Sequence, residues 1–266
     1  MIVGNWHGSH IWYELITPDP DGAKLFYDAV VGWDVESQPS TEGMDYRMIR
    51  RSDGNAGGLM RLGDDMARHG ARPMWLGYIG VDDLDAALTA VEKDGGTVMM
   101  PAFEVEGVGR IAMVTDPQGA PFYLMRPARE MAERKQDSHV FSRDKPQHVR
   151  WNELSTTDSD AAVAFYTRHF GWVQDGDMDM GEHGKYRFIH HQGVMIGAIM
   201  PKMPEMPVSL WSYYIGVDDI DRAASAVTAC GGTILNGPME IPGGEFALNG
   251  MDPQGAAFGL VGPRNR

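Results

Sequence analysis

Glu14 and Glu153 stand at equivalent places in a sequence that repeats itself, each two residues after a tryptophan, Trp12 and Trp151. A carboxylate held on a strand face can serve as a general acid or base, or give its oxygens to a divalent metal ion. The plainer reading is a carboxylate that hydrogen-bonds backbone or a neighbouring arginine, and Arg47 and Arg187 repeat as well. Residues two apart on a strand share a side at a spacing of about 6 to 7 Å, so His10, Trp12, Glu14 and Ile16 face the same way. His10 has Val149 as its counterpart, which confines any role for it to the first half. His190 and His191 are adjacent at a strand end and must point to opposite faces, which argues against a cooperative metal pair and for solvent-facing or capping rings. The single cysteine, Cys230, excludes an intrachain disulfide and a thiolate metal cluster, and before Gly231-Gly232 it reads as a small buried hydrophobe.

The repeat that pairs these residues spans a whole domain. Trp12-Tyr13-Glu14-Leu15, Asp19, Phe26-Tyr27 and Gly32-Trp33 return 139 positions later as Trp151-Asn152-Glu153-Leu154, Asp158, Phe165-Tyr166 and Gly171-Trp172. Trp75 to Asp85 returns as Trp211 to Asp221, and Asp116-Pro117-Gln118-Gly119 as Asp252-Pro253-Gln254-Gly255, both 136 positions on. A period this long is that of a duplicated domain and not of a solenoid unit. The reading is a domain over residues 1–126, a charged, aliphatic-poor linker over 127–147 that has room for a helical turn or two, and a second domain over 148–266.

Within the first half, His10 to Thr17 predicts a strand and Asp19-Pro20 a helix start, with Ala23, Phe26, Tyr27 and Val30 at helical spacing up to Gly32. Short strands follow at Trp33 to Val35, Asp45 to Arg50 and Gly57 to Leu62. The order then repeats: a strand at Leu76 to Val81, a helix carrying Leu84, Ala87, Leu88 and Val91, a glycine stop at Gly95-Gly96, and strands at Thr97 to Met100, Arg110 to Val114 and Pro121 to Arg126. Each half is two βαβββ modules, and the class is α+β.

A formal charge of −14 and a pI near 5.0 oppose approach to a phosphate backbone or an anionic membrane. No export signal or run of eighteen apolar residues is found, so the expectation is a cytoplasmic protein. Phosphate-binding loops, the dinucleotide glycine fingerprint, Gly-x-Ser-x-Gly and His-Glu-x-x-His are missing, which leaves phosphotransfer, nicotinamide chemistry and triad hydrolysis without support.

Four modules carrying Phe-Tyr on the first helix, Gly-Trp at its end, a Val-Asp-Asp helix start and an Asp-Pro-Gln-Gly hairpin resemble the vicinal oxygen chelate superfamily of glyoxalases, bleomycin-resistance proteins and extradiol dioxygenases. The resemblance implies tandem glyoxalase-like domains whose paired modules form cupped mixed sheets, with a ligand in the cup. It also implies ligand positions for a divalent ion on the strands, and these fall on Trp12, Leu76, Tyr123 and the Gly57 to Leu62 strand in one half. In the other they fall on Trp151, Ser212, Gly259 and the Gly197 to Met200 strand. None is a usual ligand, so the expectation is no metal and no other cofactor, with Zn, Ni, Fe or Mn at a relocated site kept as the alternative.

By alternation, the first cup would be lined by Trp12, Glu14, Tyr78, Tyr123 and Met125, with His10 on the same strand face. The second, lined by Trp151, Glu153, Ser212, Tyr214 and Gly259, would be roomier. Indoles and phenols there suit stacking on a planar molecule, although aromatic residues on strands are also ordinary core fillers. The leading expectation is a binder of a small apolar or aromatic metabolite, as in bleomycin resistance. The alternative is an enzyme of the glyoxalase, epimerase (isomerase) or dioxygenase type, using a relocated metal or Glu14 and Glu153 as acid and base. A third has one half binding ligand while the other completes the fold. The only partner expected is a small-molecule ligand, and the chain would be a monomer with an internal pseudo-dimer, or a homodimer.

Overall fold

Asp19, Asp83, Asp158 and Asp219 each close the N-terminus of a helix, accepting the N–H of Gly22, Ala86, Ala161 and Arg222 at 3.0, 3.1, 3.0 and 2.8 Å. These four caps mark the four modules in a computed structural model that describes residues 6–40, 43–128 and 140–265. The first module is β1 (His10–Thr17), α1 (Pro20–Val31), β2 (Asp34–Val35), β3 (Tyr46–Arg51) and β4 (Gly54–Arg61). After a five-residue helix α2 (Asp64–Arg68) come β5 (Met74–Gly80), α3 (Leu84–Lys93), β6 (Thr97–Val105), β7 (Gly109–Thr115) and β8 (Pro121–Pro127). The third is β9 (Val149–Thr156), α4 (Ser159–Phe170), β10 (Val173–Asp179), β11 (Lys185–His191) and β12 (Val194–Pro201). The fourth is β13 (Leu210–Gly216), α5 (Ile220–Ala229), β14 (Thr233–Glu240), β15 (Phe246–Met251) and β16 (Ala257–Gly262).

The strands form two open eight-stranded mixed sheets, ordered β2-β3-β4-β1-β5-β8-β7-β6 and β10-β11-β12-β9-β13-β16-β15-β14. This is the expected α+β architecture, two tandem domains of paired βαβββ modules. Strand β6 runs five residues beyond its expected end at Met100, through Pro101. It lies at the sheet edge, where a missing N–H costs no ladder bond, and its pairing with β7 shifts register between Met100 and Phe103. The middle of the expected linker, 129–139, lies outside the described residues, and with it most of the span read for helical turns. Cys230 is half-buried as the C-cap of α5, more open than the buried position expected of it.

Contacts between Cα atoms divide the chain into two compact units, one of residues 6–11, 77–128 and 151–211, the other of 12–40, 43–76, 140–150 and 212–265. Each has the same buried device at its centre. In one unit the Trp75 indole donates to the Tyr27 hydroxyl at 2.9 Å, and that hydroxyl donates to Asp252 at 3.0 Å. The other carboxylate oxygen of Asp252 accepts the N–H groups of Gln254 and Ala256 at 3.0 and 2.8 Å, fixing the Asp-Pro-Gln-Gly turn. In the other unit Trp211 donates to Tyr166 at 2.9 Å, Tyr166 to Asp116 at 3.1 Å, and Gln118 and Ala120 to Asp116 at 3.0 and 2.9 Å. Burial pushes both carboxyls up against the pull of the backbone N–H bonds, and it pushes the Tyr27 hydroxyl well above its ordinary value. Rings close round each relay: Phe26, Trp33 and Phe258 around Tyr27; Phe122, Phe170 and Trp172 around Tyr166.

Removing one hydroxyl leaves a buried indole N–H and a buried carboxylate oxygen without their partner. We predict that Tyr27→Phe and Tyr166→Phe each lower stability by about 2–3 kcal/mol in urea unfolding, as for other hydrogen bonds to buried charged groups. A change within about 0.5 kcal/mol would show that the relay does not hold its unit together.

Candidate functional site

Strand β11 sets Tyr186 and Phe188 on one face and Arg187 on the other, because side chains alternate along it. Arg187 turns to Asp160 in the first turn of α4, with Nη2 2.6 Å from its carboxylate, so it clamps a helix to the sheet. In the first module Arg47 does the same, with Nη1 2.7 Å from Asp21 and Nε 2.9 Å from Asp45. Asp45 also takes Arg61 at 3.0 Å, and these arginines hold its carboxyl below the usual range. Arg47 and Arg187 thus have carboxylate partners other than Glu14 and Glu153.

On the opposite face, Trp151 Nε1 donates to the Tyr186 hydroxyl at 2.7 Å, and that hydroxyl donates to Glu153 at 2.5 Å, the spacing of a charge-assisted O–H···O bond. The Trp151 and Tyr186 planes are 4° apart with centroids at 6.4 Å, and Phe188 stands nearly upright to both. All four side chains are half-buried. The first module carries the matching bond, Trp12 Nε1 to the Tyr46 hydroxyl at 2.8 Å. Tyr46 rests on Gly58, where a Cβ would overlap its hydroxyl, and Gly58 is the Cα partner of Glu14 across β1 and β4. In the third module Ala198 is the partner of Glu153. The carboxylates differ in access: Glu14 is 2% exposed, whereas Glu153 is partly open.

Tyr46 and Tyr186 were not singled out from the sequence, although each directly precedes one of the two repeated arginines. That repeated Tyr-Arg pair is the signal that could have found them.

The remaining expected residues form separate groups. Tyr78 and Tyr123, partners across β5 and β8, stack on each other at 4.3 Å and 18° and are 5% and 4% exposed. Met125 is buried two positions further along β8. Of the expected first-cup set, Trp12 and Glu14 belong to one compact unit, and Tyr78, Tyr123 and Met125 to the other. Tyr214, half-buried two positions after the half-buried Ser212, accepts a hydrogen bond from Asn249 at 2.9 Å. Its ring covers Gly259, where any Cβ would collide with it, so the room expected there is already filled. His190 and His191 are half-buried.

His10 lies in a core. It stacks on Trp172 at 5.3 Å, meets Trp211 edge-on at 6.1 Å and is 8% exposed. Burial, with the nearby His191 ring adding to it, lowers its pKa from 6.5 to about 3.

The family model of the Glyoxalase/Bleomycin resistance protein/Dioxygenase superfamily matches residues 10–124 and again 145–260. The chain belongs to this superfamily. Among its relatives, "Putative glyoxylase CFP32" of Mycobacterium bovis is 34% identical over 258 residues, covering 96% of this chain and 95% of that protein. "Anthracycline biosynthesis protein DnrV" of Streptomyces peucetius is 29% identical over 274 residues, covering 96% and 93%. Among solved structures, 2,2',3-trihydroxybiphenyl 1,2-dioxygenase from Sphingomonas wittichii strain RW1 superposes with a TM-score of 0.65 at 15% identity, over 96% of this chain and 90% of that one. The 2,3-dioxygenase LapB from Pseudomonas sp. KL28 gives 0.61 at 13%, over 96% and 91%. At these identities the likeness is one of fold.

Members of the glyoxalase superfamily that use a metal need His, Gln or carboxylate donors converging from several strands. Here the corresponding positions carry indole, phenol, aliphatic, serine and glycine groups, a donor set that does not fit a divalent ion. Among the described residues, no three His, Cys, Asp or Glu side chains gather into a set that could hold one.

The buried His10 gives a pH signature. Its folded pKa is depressed, so the neutral ring is the one that fits, while the unfolded chain takes up a proton near pH 6.5. Its contribution is therefore complete above pH 6.5 and is lost as the pH falls toward about 3. We predict a loss of up to about 1.4 kcal/mol per pH unit below 6.5 that is missing from His10→Gln. Parallel pH–stability curves for the two proteins would contradict this.

Proposed function

We propose that this superfamily member binds a small aromatic or apolar metabolite without a metal ion, at the Trp151–Tyr186–Glu153 site. The observation that carries the reading is the hydrogen-bonded run from indole to phenol to carboxylate, which begins at the position where the superfamily resemblance places a metal donor. Partly exposed rings supply stacking area, and a carboxylate already oriented by a phenol can accept a hydrogen bond from a ligand hydroxyl or N–H. The equivalent carboxylate, Glu14, is too deeply buried for this, so recognition falls to the third module. The relatives named for anthracycline biosynthesis agree with the reading, since an anthracycline contains fused aromatic rings.

The probe is 2-naphthol, titrated into the full chain before and after EDTA treatment, with elemental analysis of the same samples. The expected result is equal affinity in both samples and a loss of about tenfold in Glu153→Gln, the equivalent of one hydrogen bond to a charged group. One Zn, Ni, Fe or Mn per chain, with binding that disappears on chelation, would overturn the reading.

A catalytic reading is favoured by the direct hydrogen bond that would let Tyr186 and Glu153 act as a coupled acid and base, and by the relative named putative glyoxylase. It requires turnover of a superfamily-type substrate that Glu153→Gln abolishes while ligand binding persists.

A further inference from the structure

An indole N–H lies in the plane of its ring and a phenol oxygen in the plane of its own. The Trp151 N–H meets the Tyr186 oxygen at 2.7 Å while the two planes are only 4° apart. Rings stacked face to face would turn these groups away from one another, so the pair lies edge to edge. The centroid separation of 6.4 Å agrees, since rings superposed face to face would bring their centroids much closer. Trp151 and Tyr186 are therefore a single flat shelf. Phe188, at 78° to one ring and 75° to the other, packs against both. Glu153 lies at the phenol end, fixed by the Tyr186 hydroxyl.

From this geometry, and resting on the binding function proposed above, we infer that the ligand class is a planar fused-ring aromatic at least two rings wide, bearing a hydroxyl at one end. One ring rests on the indole and the next on the phenol, while the hydroxyl donates to Glu153. A single-ring phenol reaches the carboxylate only by giving up the indole, so it uses half the stacking surface. A flexible aliphatic chain would leave the flat shelf poorly covered and lose rotamer freedom on ordering. Tyr186 sets the selectivity with two separate parts, its ring as the second stacking surface and its hydroxyl by aiming the carboxylate.

The test compares 2-naphthol, 2-methoxynaphthalene and phenol by calorimetry on wild type, Tyr186→Leu and Tyr186→Phe. Wild type is expected to prefer 2-naphthol to phenol by more than about tenfold, since each stacked ring is worth about 1–3 kcal/mol, and 2-naphthol to its methyl ether by about tenfold. Tyr186→Leu should remove most of the preference over phenol. Tyr186→Phe should keep the preference for two rings and lose that over the ether. Should the leucine variant fold poorly, intermolecular NOEs from 2-naphthol to the Trp151 and Tyr186 rings of wild type decide the matter. Their presence on both rings supports the shelf, and their confinement to other aromatic residues overturns it. If all three probes bind with ratios unchanged by the Tyr186 variants, the shelf is wrong and binding stands. If none binds to wild type, the binding function itself fails.

Discussion

A buried phenol that must satisfy an indole and a carboxylate at once is the constraint on which the rest of the structure depends. Tyr27 and Tyr166 occupy that position, each on the first helix of its half, and each reaches a carboxylate far away in sequence, Asp252 and Asp116. Neither aspartate would be tolerated there uncompensated, since an unpaired charge in an apolar core costs several kcal/mol. Backbone N–H groups of the Asp-Pro-Gln-Gly turn supply the remaining bonds, so the same carboxylate shapes a hairpin and receives a helix. The two halves hold one another's turns, which explains why the compact units cut across the repeat and do not follow it.

With the helical side of each sheet committed to that packing, the other strand face is free to vary. It does so within one frame: a tryptophan donates to a tyrosine in both halves, Trp12 to Tyr46 and Trp151 to Tyr186. A methyl group, a ring and an exposure separate them, for Met48 stands in the first module where the third has Phe188. Gly58 lets Tyr46 settle beside a sealed Glu14, while Ala198 stands opposite a Glu153 that remains within reach. Duplication followed by such small changes can turn one of two equal sites into a structural element and leave the other to bind.

Much of the fold was legible in the sequence because its local signals are strong and fourfold. Capping by the carboxylates of Asp19, Asp83, Asp158 and Asp219, and left-handed glycines at the ends of α1 and α4, delimit helices without any tertiary information. The end of β6 was missed because Pro101 reads as a breaker until the strand is known to be an edge. The site was less legible. Alternation put Trp12 with Glu14, and Trp151 with Glu153, on one strand face each, but Tyr46 and Tyr186 were overlooked beside the arginines that follow them. Those arginines turn to the helices, a choice set by Asp21 and Asp160 one module element away. Gly259 was read as open space, yet absence of a side chain says nothing about which neighbour fills it, and Tyr214 does. His10 shares a strand with Trp12, but its ring belongs to an aromatic core that only the folded chain assembles.

The most direct measurement is a crystal structure of the chelator-treated full chain soaked with 2-naphthol. Density for two coplanar rings lying over Trp151 and Tyr186, with the hydroxyl within hydrogen-bond reach of Glu153 and no ion beside it, is the result this account predicts. Density for the probe elsewhere, or a divalent ion coordinated by Glu153 in crystals grown without chelator, would contradict it.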